Sequence, residues 1–360
     1  MSLHFHPLRV RAVQPDTDEA VLVSFDVPDE LRETFRFQPG QYLTLRSDID
    51  GQDLRRSYSI CAGLDDGALR VGVRKVPGGV FSTWANDRLQ PGDTLQVFPP
   101  QGHFTLALPA EATPRHIVGI AGGSGITPIL SIMKSLLARE PRSRFTLLYG
   151  NRTPRSTMFK EELEDLKNRH MGRLALHPVF SAEQVDSPLH SGRLDRDKLG
   201  LFLRTLVPVA SIDEVFVCGP HRFNDEVETA LLDAGVPAER LHVERFGVPG
   251  AAPGAAAVHQ ALPGDAEQAR VVIIRDGLTR EIAFRRSDPS ILDAAAFAGL
   301  DMPYSCKSGV CSTCRAKVLE GEVRMDRNFA LDKHEVAAGF VLTCQSHPLT
   351  ERVVLSFDER

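Results

Sequence analysis

Four of the six cysteines in this 360-residue chain stand at Cys306, Cys311, Cys314 and Cys344, a C-x4-C-x2-C run followed after 29 residues by a fourth. Three thiolates from one tight loop must converge on a common centre while the fourth arrives from a separate segment, which is the spacing of plant-type 2Fe–2S ligands. Ser305, Ser308, Gly309, Ser312 and Thr313 are small enough for close approach. Gly309 can also take a positive φ, so that backbone N–H groups turn toward sulfur. Four thiolates suit tetrahedral zinc as well, although structural zinc sites usually show two matched C-x2-C pairs and here there is one.

The rest of the chain reads in three further pieces. Residues 1–110 carry short strand-like runs: Ala20-Val21-Leu22-Val23-Ser24-Phe25, Gln41-Tyr42-Leu43-Thr44-Leu45, Leu69-Arg70-Val71-Gly72-Val73 and Thr94-Leu95-Gln96-Val97. Turns punctuate them at Gln38-Pro39-Gly40, Pro77-Gly78-Gly79, Gln90-Pro91-Gly92-Asp93 and Pro99-Pro100-Gln101-Gly102. This pattern predicts an antiparallel β-barrel. Over 111–248 strand and helix alternate, from His116-Ile117-Val118-Gly119-Ile120-Ala121 to a last strand near Leu241-His242-Val243, which predicts an α/β domain with a parallel sheet. Residues 249–268, opening Pro249-Gly250-Ala251-Ala252-Pro253-Gly254-Ala255, read as a linker. Residues 269–360 then form a small domain with strands at 271–274 and 280–284, a helix at 291–297, and the cysteines.

Several residues in these pieces suit bound cofactors. Arg56-Ser57-Tyr58-Ser59 offers a charged fork, an aromatic face and a hydroxyl, and Val73 lies on a neighbouring strand. Lys75 and the turn Gly78-Gly79-Val80-Phe81-Ser82 lead into a predicted helix whose free N–H groups suit a pyrophosphate. Gly122-Gly123-Ser124-Gly125-Ile126-Thr127-Pro128, between a buried strand and an amphipathic helix, is a dinucleotide-loop variant with Thr127 as N-cap and Pro128 as first helical residue. No acidic residue follows the next strand to hold a ribose 2′-hydroxyl. Arg152 and Arg155 stand there instead, which favours NADPH over NADH unless the loop is only a solvated basic turn. Cys218 precedes Gly219-Pro220 at a strand end and is either a nicotinamide neighbour or a filler; Cys61 reads as a filler.

In this order the motifs resemble the ferredoxin–NADP reductase superfamily, in the class with a plant-type ferredoxin fused at the C-terminus. Arg55-Arg56-Ser57-Tyr58-Ser59-Ile60-Cys61, Pro100-Gln101-Gly102-His103-Phe104, Tyr149-Gly150-Asn151-Arg152-Thr153 and Ala337-Ala338-Gly339-Phe340-Val341-Leu342-Thr343-Cys344-Gln345 support the likeness, which spans nearly the whole chain apart from the linker. It implies FAD held by Arg56, Tyr58 and Ser59, with Lys75 and the 78–82 turn near its phosphates. Thr127 and Cys218 would lie near the nicotinamide, Glu244 and Phe246 over the isoalloxazine, and the C-terminal domain would be a β-grasp. Relatives often carry methionine where this chain has Phe223.

The resemblance further implies a reductase that sends electrons from NADPH to an oxygenase component, a diiron protein acting on an aromatic acyl-CoA. Steroid 9α-hydroxylase reductases share the domain order, and a nitrosative-stress partner is a further reading. A redox sensor or zinc-stabilised adaptor is the reading from a different class. A nicotinamide gives electrons as hydride and a cluster takes one at a time, so a flavin between them needs no catalytic acid–base pair from the chain. Twelve histidines are scattered without ligand spacing.

A net charge of −5 argues against a nucleic-acid partner. Residues 269–360 hold 13 basic and 13 acidic side chains, so that charge belongs to the remainder. No apolar run approaches the ~20 residues a bilayer requires, and Met1-Ser2-Leu3-His4-Phe5-His6 lacks a secretory pattern, so a cytoplasmic location is expected.

Overall fold

The computed structural model describes all residues except 1–3, 110, 112, 248–258, 260 and 360. Most of the expected linker therefore lies outside the described residues. By contacts the chain divides into two compact units, one of His6–Gln52 with Tyr58–Pro249, the other of Met1–Phe5, Asp53–Ser57 and Gly250–Arg360.

The N-terminal sheet contains β1 (His6–Thr17), β2 (Ala20–Asp26), β3 (Tyr42–Ile49), β4 (Gln52–Ser59), β5 (Leu69–Arg74) and β6 (Thr94–Gln101), in spatial order β4-β3-β6-β1-β2-β5. An antiparallel bridge from Ile60, just past β4, to Val71 on β5 joins the two edges and closes a barrel. Asp50 and Gly51 both take positive φ (53° and 80°) between β3 and β4, the two-residue turn that matches strand twist. The expected turn at Pro99-Pro100 is not one. β6 runs through both prolines to Gln101, and the bend follows at Gly102, whose φ is 108°. Helix α1 (Val80–Asp87) follows β5.

The second sheet contains β7 (His116–Gly122), β8 (Arg144–Asn151), β9 (Leu174–Phe180), β10 (Glu214–Gly219) and β11 (Leu241–Arg245), all parallel, in order β11-β10-β7-β8-β9. Residues of β7 alternate between two cores. Ile117 and Ala121 join α2 (Ile126–Arg139) and α3 (Lys160–Arg169), while Val118 and Ile120 join α4 (Arg196–Thr205) and α5 (His221–Asp233). The first core also takes in Ala20, Leu22 and Cys61 from the barrel, so barrel and parallel sheet share one interior. Successive strands leave β7 in opposite directions through β8 and β10. The crevice at the C-terminal ends of β7 and β10 is thus the switch point where open α/β sheets hold ligands.

The C-terminal domain contains β12 (Gln268–Arg275), β13 (Leu278–Arg285), α6 (Ile291–Phe297), β14 (Arg315–Glu320), β15 (Val323–Met325), α7 (Lys333–Ala337), β16 (Phe340–Leu342), β17 (Ser346–Pro348) and β18 (Arg352–Ser356). Its mixed sheet runs β13-β12-β18-β14-β16, with β12 and β18 parallel, and α6 contributes Ile291, Leu292 and Ala295 to the core. Asp276-Gly277, again with positive φ at both residues, turns β12 into β13.

Candidate functional site

At the switch point the chain is pressed too close for side chains. A Cβ on Gly125 would lie 2.0 Å from the Cys218 carbonyl oxygen, and one on Gly219 2.5 Å from the Phe223 ring. Phe223, the departure noted in the sequence, covers Gly219 and Gly122. Gly123 takes φ +52° and faces Arg74. The helix start differs from expectation: α2 begins at Ile126 after a short 3-10 turn, and Gly125 is its N-cap. Thr127 is already helical and buried, its hydroxyl donating to the Ser124 carbonyl at 3.0 Å and its methyl packing on Gly72 of β5. A residue that bridges β5 and the glycine turn cannot also project beyond the helix end.

Parallel pairing sets Cys218 beside Glu244. Glu244 hydrogen-bonds Ser59, while its Oε2 is shut from solvent with no hydrogen-bond partner. Burial pushes its carboxyl up to about 8, outweighing the Ser59 bond, so it carries a proton at neutral pH. Cys218 is fully buried, and burial pushes its thiol well above the ordinary range. Asn224, which the sequence reading missed, donates to the Glu244 carbonyl at 2.8 Å from α5; nothing in its local sequence signals this. Pro220 opens α5, and Phe246 beyond β11 is exposed. Ser59, Cys218 and Glu244 come together; Phe246 is not joined to them by any contact among those described.

Along β4, Arg56 donates to the Arg55 carbonyl at 2.7 Å, and the Tyr58 ring lies 5.8 Å from Phe81 of α1. Gly79 is the N-cap of α1 and brings no side-chain cap, so the first N–H groups of that helix remain available. Gly78 supplies the left-handed turn (φ +74°), and Ser82 Oγ accepts from Val76 N (3.1 Å) and donates to the Gly79 carbonyl (3.2 Å), shaping the loop. Val73 is buried in the barrel wall. Lys75 is engaged with Asp87 at 2.7 Å. Of the two arginines past β8, Arg155 pairs with Asp18 at 2.8 Å and Arg152 is exposed.

The cysteine loop follows α6. Lys307 (φ +49°) and Gly309 (φ +78°) curl it back, and a Cβ on Gly309 would press on the Arg327 carbonyl at 3.0 Å. Cys306 and Cys311 sulfurs lie 3.2 Å apart, and Ser308 N points to Cys306 Sγ at 3.3 Å. Thr343 ties the fourth segment to the loop through the Cys314 carbonyl (Oγ1 at 2.9 Å), and Gln345 Nε2 reaches Lys307 O at 3.2 Å and Cys344 Sγ at 3.5 Å. Hydrogen bonds from Cys311 and Cys344 hold Cys306 well below the usual thiol range, and their bonds to Cys306 push those two well above it. Thiolate sulfur is a soft ligand for iron, so four cysteines brought together by one loop and the 343–345 turn are a donor set that fits an iron–sulfur cluster. Cys61 is a buried core residue, its thiol raised to about 12 by burial.

Comparison with known proteins agrees with this geometry. Residues 9–106 match the oxidoreductase FAD-binding domain, 120–229 the oxidoreductase NAD-binding domain, and 273–349 the 2Fe-2S iron-sulfur cluster binding domain. The last span contains all four cysteines and supports the 2Fe–2S reading. The chain is 45% identical to a subunit of the 1,2-phenylacetyl-CoA epoxidase of Escherichia coli (strain K12), over 99% of its length and 98% of that protein. It is 36% identical to the ferredoxin reductase component of 3-ketosteroid-9-alpha-monooxygenase from Rhodococcus rhodochrous, over 97% of this chain and 96% of that one. Phthalate dioxygenase reductase shares the fold, with a TM-score of 0.59 at 24% identity over 98% of both chains.

The chain therefore belongs to the family of FAD-, NAD- and 2Fe-2S-domain reductases that includes these oxygenase components. It is an NAD(P)H-dependent oxidoreductase that transfers electrons through FAD and a 2Fe–2S cluster.

Proposed function

We propose that this reductase draws on NADPH and serves a diiron oxygenase that epoxidises phenylacetyl-CoA. The observation that carries the partner is the 45% identity to the epoxidase component across both chains. When bound, the nicotinamide supplies hydride, the flavin converts the electron pair into single electrons, and the cluster relays them. Arg56 would neutralise a flavin phosphate, Tyr58 and Ser59 hold its ring system, and Val73 wall the pocket. The α1 N-terminus at Gly78, Gly79 and Ser82 would receive the pyrophosphate, with Lys75 near it once released from Asp87.

Gly123 and Gly125 would admit the dinucleotide against the glycine turn that Thr127 braces. Cys218, Gly219 and Pro220 would wall the nicotinamide, and Phe246 would cover the flavin. Glu244, its Oε2 shut from solvent, keeps its proton beside Ser59 and so would add no negative charge where electrons arrive. Arg152 and Arg155 would meet the 2′-phosphate, Arg155 exchanging its contact with Asp18. A cytoplasmic location follows from the need for a pyridine-nucleotide pool.

Anaerobic mixing with NADPH and NADH in parallel tests the donor: loss of flavin absorbance should be at least tenfold faster with NADPH, and Arg152→Ala should narrow the gap. Faster reduction by NADH refutes the role of the two arginines. Deleting the gene should abolish growth on phenylacetate in a strain without a second such reductase, and normal growth refutes the epoxidase partner. The ketosteroid monooxygenase reductase component, at 36% identity, is the second reading and predicts that normal growth.

A further inference from the structure

The C-terminal unit folds two distant histidines onto one carboxylate. His259 Nδ1 lies 2.6 Å from Asp326 Oδ2, and His347 Nε2 lies 3.0 Å from the same oxygen. The three donor atoms all fall within 4.8 Å of one another. The side chains of His259, Asp326 and His347 are only 8%, 19% and 3% exposed. Antiparallel pairing of β15 with β17 presents His347 opposite Arg324, two residues before Asp326. Arg324 holds the other Asp326 oxygen and is itself gripped by Asp265 at 2.5 and 2.7 Å, so the carboxylate is fixed with Oδ2 toward the imidazoles.

His259 and His347 also border a cavity of about 260 Å³, lined further by Arg286, Asp288, Asp293 and Lys307. It has room for several waters. Each nearby cation already has a carboxylate: Arg324 has Asp265, Arg286 has Glu267, and Lys307 has Asp293. Arg324 is shared between Asp265 and Asp326, and with Asp288 five carboxylates stand near three cations, so with neutral imidazoles the surroundings carry a negative excess that attracts a cation.

Two imidazoles and one carboxylate, with positions open toward water, are a donor set for a first-row divalent ion. A tetrahedral ion at ordinary bond lengths needs donors roughly 3.3 Å apart, so each histidine would draw back from Asp326 by under about 1 Å. We propose that His259, Asp326 and His347 form a zinc-class metal site, separate from the four cysteines, that fastens residue 259 to the β15–β17 ribbon.

The test uses the full chain loaded with FAD and its cluster, washed with a mild chelator and titrated with zinc against a chromophoric competitor. One zinc per chain should bind while the iron content and visible absorbance stay unchanged. His259→Gln should weaken that binding by at least about 100-fold, since loss of a direct ligand exceeds the cost of losing its outer partners. Asp326→Asn should do the same, with retained cluster absorbance reporting an intact fold. Failure to bind zinc at micromolar concentration reduces the trio to a hydrogen-bonded cluster and overturns the proposal. So does binding that survives His259→Gln, or binding that displaces iron.

Discussion

Glu244 shows how much one residue's environment decides. Its carboxyl sits at about 8 in the folded protein, against an ordinary value near 4.5 in an unfolded chain. Below pH 4.5 both states hold the proton and the group costs nothing. Between 4.5 and 8 the unfolded chain releases it while the folded one does not, so stability falls as pH rises, and above 8 the cost is constant. Glu244→Gln removes this dependence. Relative to the parent, its melting temperature should rise by a few °C between pH 5 and pH 8. An unchanging difference over that range would sink the assignment. The sequence supplied Glu244 only through family likeness, because its burial comes from packing and its hydrogen-bond partner Ser59 lies 185 positions away.

At the scale of elements, helix α6 links a local signal to the cluster loop. Ser290 caps it, accepting from Asp293 N at 3.1 Å and donating to its carboxylate at 2.6 Å, and that carboxylate also takes Lys307 Nζ at 2.8 Å. Ser290→Ala should cost about 1 kcal/mol or more, the loss of a buried cap, seen as earlier thermal loss of cluster absorbance while flavin release is unchanged. Equal effects on both chromophores would contradict this. α6 was legible to the residue because its apolar spacing and cap are local. The two Asp-Gly hairpins are equally local, and the dipeptide itself names the turn. β6 misled for the opposite reason: prolines punctuate most chains, but Pro99 and Pro100 sit in a strand whose pairing with β3 shifts register there.

For the whole molecule, charge and covalent connection make one prediction together. The side chains of the 269–360 segment are formally balanced before its cluster is counted, and a linked carrier has its donor at high effective concentration without long-range steering. The rate of cluster reduction by NADPH should therefore change less than about twofold between 50 and 500 mM salt in the intact chain, a range over which screening of exposed charges becomes nearly complete. A steep fall in stopped-flow cluster reduction with salt would show that electrostatic docking governs transfer instead.

The sequence by itself determined the architecture and singled out four cysteines suited to a cluster, because strand alternation, helical spacing and cysteine spacing are written within a few dozen residues. Tertiary structure alone decided which groups meet across longer distances. Gly125 must be glycine because the Cys218 carbonyl lies against it, and Lys75 and Arg155 come already paired with carboxylates. Two histidines 88 positions apart converge on Asp326. Spacing along a chain fixes geometry only while the intervening residues stay in one element; beyond that, packing of the core chooses the neighbours.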